Sequence, residues 1–401
     1  MLNATFLSPT RLVVGKDAEL KTAKLVQAYG GTKVLVHHAG GLHKKSGLVD
    51  RIIQNLQEAG LGVVELGGVV PNPRLSLVYE GIELARREKV DFLLAIGGGS
   101  VIDSTKAIAM GLPYAGDVWN FFAEKDGVPL DVPKKSTPIG VVLTIAAAGS
   151  EASNSCVITN EAESLKRFCD NNINRPCFAI ENPELTMTVP PFQTACGIID
   201  IMSHSFERYF TPEHGGNMLT DHLCEAIFHT CMDCGRALMA NPQDYEARAS
   251  IMVASSLSHN GLTGIGRTGD WATHFIEHEL SGEFDVTHGL GLAIITPAWM
   301  KYVYREDPEI FLKWATRVMG CSYDYEDPER TILEGISRLE LFFESMGIPT
   351  RLSKVEGLPP VTEEIMWKMA KRIRAVHADG SIGWFKRLQA QDIVNIFKLA
   401  Q

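Results

Sequence analysis

Long uninterrupted apolar runs are missing from this 401-residue chain, and no stretch reaches the ~20 residues that a membrane-spanning helix needs. The opening Met1-Leu2-Asn3-Ala4-Thr5-Phe6 has no basic segment leading into an apolar core, so no secretion signal is expected and a cytoplasmic location is. Positive charge is in deficit: 38 Lys and Arg stand against 48 Asp and Glu, a formal net charge of −10. That balance disfavours nucleic acid and presents no basic surface to anionic membranes, which leaves small molecules or protein partners. A disulfide framework is absent too. The eight cysteines are scattered through apolar segments of a long chain, the usage of a reducing compartment. One CxxC, Cys231-Met232-Asp233-Cys234, lies within a helical run with no strand before it and no second CxxC, so packing is expected of it rather than redox or zinc chemistry.

The balance of 45% hydrophobic and 21% charged residues is that of an ordinary globular chain, and its length predicts two domains or three. In the first half, Lys33–His37, Gly62–Leu66, Phe92–Ile96 and Ile139–Leu143 read as buried strands, with helical patterns near 46–59, 74–88 and 101–111 between them. Such alternation predicts a parallel sheet covered on both faces, an α/β domain. Beyond Val189 the β-rich runs stop and nine helical patterns follow, from 191–210 to 390–399. Asn182-Pro183-Glu184-Leu185 and the prolines at 190 and 191 mark the change, giving an α/β domain over 1–188 and an all-α domain over 189–401.

Four residues of the helical part carry the most chemistry. Asp200 and His204 sit one turn apart in an apolar helix, so they project from one face. His274 lies in a second helix, with His278 one turn on, and His288 follows after a glycine-containing turn. An ionised Asp in an Ile-Ile-Asp-Ile setting is costly to bury without a counter-charge, and a metal ion supplies one. One carboxylate and three imidazoles, with no thiolate, suit Fe(II), Zn, Mn or Ni and leave room for a substrate oxygen.

The first domain carries nucleotide signals. Ile96-Gly97-Gly98-Gly99-Ser100-Val101-Ile102-Asp103 ends a strand and opens a helix, where glycines admit a ligand and unpaired N–H groups suit a diphosphate. It is neither the GxGxxG fingerprint nor a P-loop. A second turn, Ala39-Gly40-Gly41-Leu42 before Lys44 and Lys45, has no acidic residue to hold an adenosine ribose; that tolerates a 2′-phosphate and favours NADP(H) slightly over NAD(H). The small residues of Thr144–Glu151 would admit the nicotinamide half.

Together these motifs, with Pro9–Lys16 and Val70-Pro71-Asn72-Pro73, resemble the iron-activated (group III) alcohol dehydrogenase family, most of all its butanol dehydrogenase and broad-range aldehyde reductase branch. The resemblance implies a Rossmann-like N-terminal domain and a helical C-terminal domain of the dehydroquinate synthase-like type, with the active site in the cleft between them. It implies that Asp200, His204, His274 and His288 hold the metal, Fe(2+) being the family's ion and Zn(2+) the alternative, and that His278 takes part in proton transfer or in substrate binding. It implies further that Gly40 and Gly41 lie at the cofactor, that Gly98, Gly99 and Ser100 hold the pyrophosphate, that Asp103 and Lys166 reach the nicotinamide end, and that Asn72 and Thr144 line the cofactor site. A homodimer or larger oligomer and a small alcohol or aldehyde substrate go with it. Two departures stand out: Ala148 where the family has threonine, and Leu42 where NADP-preferring relatives carry serine. The alternatives are a metal- and NAD-dependent lyase of the dehydroquinate synthase type, a specialised hydroxy-acid or polyol dehydrogenase, or a non-catalytic binding protein.

Overall fold

The computed structural model describes residues 1–41, 46–125, 128–213 and 217–401; Lys44 and Lys45, beside which NADP(H) was favoured, and Leu42, where NADP-preferring relatives carry serine, lie outside them. The chain forms two compact units. One comprises Leu7–Val189 with Gln243–Asn260, the other Met1–Phe6, Pro190–Pro242 and Gly261–Gln401.

The first unit is built on a six-stranded sheet. Its strands are β1 (Arg11–Val14), β2 (Lys33–His38), β3 (Gly62–Leu66), β4 (Phe92–Gly97), β7 (Ile139–Leu143) and β10 (Phe178–Glu181), in the order β1-β10-β7-β4-β2-β3. Every pairing is parallel. The central β4 and β7 are buried at every residue, which is why they read as continuous apolar runs rather than alternating ones. Helices α1 (Thr22–Ala28), α2 (Leu48–Glu58), α3 (Leu75–Glu88) and α4 (Gly99–Gly111) connect the strands. Strand order reverses at β2, which pairs with β3 on one side and β4 on the other. In an open α/β sheet the crevice at the carboxyl ends beside such a reversal is where ligands bind. The turns after β2 and β4, with Gly40, Gly41 and Gly97–Ser100, both open there. Small antiparallel pairs complete the unit: β5 (Glu124–Lys125) with β6 (Val128–Pro129), and β8 (Val157–Asn160) with β9 (Leu165–Phe168).

The second unit is helical among its described residues: α5 (Pro191–Tyr209), α6 (Met218–Ala240), α8 (Ala272–Phe284), α9 (His288–Val303), α10 (Pro308–Arg317), α11 (Pro328–Ser345), α12 (Glu363–Arg372) and α13 (Ala390–Leu399). Its core is an aromatic cluster in which Phe210 stacks on Phe311 at 4.3 Å and Phe206 on Phe228 at 4.4 Å.

Two segments cross the boundary expected near 188. Helix α7 (Tyr245–His259) packs in the α/β unit, where its Ser256 hydroxyl lies 2.8 Å from Glu151 Oε1 and 2.7 Å from Glu181 Oε1. Residues 1–6 lie in the helical unit, where Leu2 N donates to Gly266 O. Helical periodicity says that a segment buries one face, not against which neighbour. Among the described residues no helix is long and apolar enough to cross a membrane.

Candidate functional site

Helix α5 starts with Pro191 in its first turn, where a missing N–H costs nothing. It is buried throughout from Thr194 to Tyr209 and carries Asp200 and His204 one turn apart. Helix α8 supplies His274, Glu277 and His278, and α9 begins at His288. A Cβ on Gly289 would lie 2.2 Å from the carbonyl oxygen of Cys196. Only glycine permits that approach of α9 to the α5 backbone, and the approach brings His288 beside Asp200.

The four residues expected to hold a metal come together around Asp200 Oδ1. His204 Nδ1 lies 3.2 Å from it, His288 Nε2 3.7 Å and His274 Nε2 3.9 Å. Asp200, His204 and His274 each offer a ligand atom within 4.8 Å of the others'. His288 falls in an adjoining group of the same kind with Glu277 and His278. His278 is buried, its ring centroid 5.7 Å from that of His288 and 6.4 Å from that of His274.

The Nδ1 atoms are tied to oxygens that can only accept. His204 Nδ1 donates to the Asp200 carbonyl at 2.9 Å, His274 Nδ1 to Glu207 Oε1 at 3.0 Å, and His288 Nδ1 to Glu277 Oε2. In the neutral ring that leaves each Nε2 with its lone pair. Asp200 Oδ1 and His274 Nε2 are fully buried and without a hydrogen-bond partner, a costly state for two polar atoms. Burial alone raises the Asp200 pKa, yet His204 and His288 pull it well below the usual carboxylate range. Burial lowers His204 to about 4. For His274, burial is outweighed by the Asp200 and Glu207 carboxylates, which lift it to about 9. The pocket thus favours positive charge among oxygen and imidazole donors, and a divalent cation satisfies both orphaned atoms at once.

Sequence reasoning missed Glu207 and Glu277. Each follows a candidate ligand by three residues, His204 and His274 respectively, and both are buried in apolar helices. A buried carboxylate three positions beyond a ligand histidine was the available signal. Glu207 also accepts from Thr273 Oγ1 and His274 N, and Glu277 from Ser281 Oγ.

In the α/β unit, Gly40 and Gly41 take φ of 81° and 53°, conformations that glycine adopts freely. Gly40 N donates to His38 Nδ1 at 2.9 Å, while His38 Nε2 pairs with Glu65. At the β4–α4 junction a Cβ on Gly98 would meet Ile145 at 2.2 Å, and one on Gly99 would meet Ala148 at 3.1 Å. Here the backbone itself forms the surface. Gly99 and Ser100 open α4, whose first-turn amides suit an anion. Thr144, buried, donates its N–H to Gly97 O at 3.1 Å.

Asp103 is occupied with the protein: Oδ1 accepts from Ser150 Oγ at 2.6 Å and Oδ2 from Val157 N at 3.0 Å. Burial raises its pKa against the opposing charges of Lys106 and Lys166. Lys106, fully buried, grips the same segment through Ser150 Oγ, Ser153 O and Ser155 O at 2.7–3.2 Å. Lys166 and Asn72 read as loop residues in the sequence. Lys166 instead lies on β9, opposite Thr159, and Asn72 stands buried in a left-handed turn at φ 54°. Thr159 N donates to Pro73 O at 2.8 Å, so one hairpin gathers Asn72, Asp103 and Lys166.

The chain matches the model of the iron-containing alcohol dehydrogenases over residues 9–183, and that of the C-terminal part of the Fe-containing alcohol dehydrogenase family over 194–401. It is 39% identical over 399 residues to NADH-dependent butanol dehydrogenase A of Clostridium acetobutylicum, covering 99% of each chain. It is 35% identical to the NADPH-dependent aldehyde reductase YqhD of Escherichia coli, covering 88% of this chain and 89% of that one. Among solved structures, NADH-dependent butanol dehydrogenase A from Thermotoga maritima superposes with a TM-score of 0.93 at 37% identity, over 100% of this chain and 99% of that one.

Proposed function

From its membership of the iron-containing alcohol dehydrogenase family, an oxidoreductase that uses a metal and a nicotinamide nucleotide, we propose that this chain interconverts short primary alcohols and aldehydes of the butanol and butanal type. The observation that carries the reading is the pair of buried, unpartnered atoms, Asp200 Oδ1 and His274 Nε2, turned toward each other amid His204 and His288. The same four residues are our proposed metal ligands, with Fe(II) as the resident ion and Zn(II) as its substitute. When bound, the ion polarises the substrate oxygen and the nicotinamide gives or takes the hydride.

The chain's own groups do the rest. Glu207 and Glu277 hold His274 and His288 by Nδ1, keeping Nε2 directed to Asp200. His278, buried beside His288, moves the alcohol proton at a ring nitrogen. Gly98, Gly99 and Ser100 receive the pyrophosphate at the head of α4, with Gly40, Gly41, Asn72, Thr144 and Lys166 along the nucleotide. Asp103 serves by holding Ser150 and the β8 backbone in place. The turn after β2 has no acidic residue, which supports acceptance of NADPH; relatives at 37–39% identity are called NADH-dependent, which supports use of NADH. We read the protein further as cytoplasmic and as a homodimer or larger assembly.

The test is NADH and NADPH consumption with butanal after metal removal and restoration of Fe(II) or Zn(II). Activity should return with metal and be absent in His274→Ala. A folded, nucleotide-binding protein that turns over butanal with neither ion would overturn the proposed substrate class.

A further inference from the structure

Trp271 precedes helix α8 in the left-handed region, at φ 64° and ψ 1°, a conformation that strains a bulky side chain. The strain is imposed from both sides. Asp270 N donates to Glu207 O at 2.7 Å. The Asp270 carboxylate accepts from Ala272 N at 3.2 Å and from Trp384 N and Phe385 N at 2.6 Å each. Glycine or asparagine at 271 would relieve the backbone, and core packing alone does not require tryptophan in this conformation.

What the conformation achieves is the placement of the indole. Its ring stands edge-on to His274, with centroids 5.6 Å apart and planes at 66°, and to His204 at 6.2 Å and 69°. Over the ring lies the Arg208 guanidinium, 4.5 Å from the centroid, and Arg208 also donates to the carbonyl of His204 at 2.7 Å. Gly269 leaves room for the ring: a Cβ there would fall 2.6 Å from Trp271 Nε1. Backbone, cation and glycine together set one aromatic ring against two of the candidate ligands.

We propose that Trp271 is a positioning residue for the metal centre: its indole fixes the ring planes of His204 and His274 and shields that flank from water, and so governs how slowly a bound divalent ion leaves. The inference rests on the metal reading above. A ligand histidine releases an ion by turning its ring, and the indole stands where His204 and His274 would turn. Edge-to-face contact with a rigid aromatic ring restricts that motion in a way that an aliphatic side chain of similar volume does not.

Full-length protein loaded with Co(II) tests this in wild type, Trp271→Phe, Trp271→Gly and His274→Ala, read by visible absorption, by the rate of Co(II) loss to excess chelator, and by thermal midpoint without metal. Trp271→Gly should lose Co(II) about tenfold faster with an altered spectrum, and Trp271→Phe should stay within about threefold of wild type. The metal-free thermal midpoint of Trp271→Gly should hold, since the relieved backbone offsets the lost packing. Wild-type release from Trp271→Gly overturns the proposal, as does release that merely follows a lowered thermal midpoint in both Trp271 variants. If wild type takes up no Co(II), or His274→Ala binds it equally well, the metal reading itself is overturned.

Discussion

Glu207 grips His274 at two points, accepting from its backbone N at 3.1 Å and from its ring Nδ1 at 3.0 Å. The carboxylate thereby fixes both the start of α8 and the tautomer of a candidate ligand. Removing its charge should loosen the ring and lower its basicity. Glu207→Gln is expected to bind Co(II) or Zn(II) about 10- to 100-fold more weakly than wild type while staying folded. Competition against a chromophoric chelator measures this, and an unchanged affinity would show that the ring is held by other means.

Gly98 has no room for a methyl group, since a Cβ would sit 2.2 Å from Ile145. Gly98→Ala should therefore displace the β4–α4 turn and weaken NADH or NADPH binding by at least about tenfold, or about 1.4 kcal/mol. Gly99→Ala meets only the methyl of Ala148 at 3.1 Å and should do less. Nucleotide fluorescence titration gives both affinities. Co(II) uptake should not change in either variant, and a parallel loss of metal binding would count against separate nucleotide and metal sites.

His278 is buried beside the candidate ligands yet stands outside the group formed by Asp200, His204 and His274. Its replacement separates proton handling from metal binding. His278→Gln should keep Co(II) and nucleotide affinity while kcat falls by about 10²-fold or more. Loss of metal together with activity would make His278 a support for His288 instead.

Glu181 makes stability depend on pH. The Ser256 hydroxyl lies between Glu181 Oε1 at 2.7 Å and Glu151 Oε1 at 2.8 Å, and its single proton cannot serve both if both are ionised. Burial and then the Glu151 charge push Glu181 from 4.5 up to about 8. Between those values the folded protein keeps a proton that the unfolded chain has lost, so stability falls as pH rises through the window and levels off above it. The slope for one proton is about 1.4 kcal/mol per pH unit. Denaturation midpoints measured from about pH 5 to pH 8 should fall in wild type and lose this component in Glu181→Gln. Equal slopes in the two proteins would rule out Glu181 as the source.

Much of this was legible in the residues. All nine helical patterns beyond Val189 are helices in the structure, because amphipathic periodicity survives whatever the helix packs against. The convergence of Asp200, His204, His274 and His288 was visible for a related reason: two of the four share one helix turn, and a third stands near a glycine that forces close approach. Glu207 and Glu277 escaped notice because a carboxylate's task depends on which ring it faces, a property of packing rather than of spacing. The β8–β9 hairpin escaped because four-residue strands carry too little periodicity, and with it went Lys166 and the company kept by Asn72. The slight preference for NADP(H) was read from a turn without an acidic residue, part of which, 42–45, lies outside the described residues.

The polypeptide changes unit four times, after Phe6, Val189, Pro242 and Asn260. A piece ending at Val189 would keep the Glu151 and Glu181 carboxyls without the Ser255 and Ser256 hydroxyls that meet them. A piece beginning at Pro190 would carry α7 away from its unit and lack the residues that reach Gly266. Exchange of either half with that of a relative at a single junction would import mismatched partners along with the intended unit. Exchange of one intact unit therefore needs crossovers at all four of these junctions, two of them flanking α7.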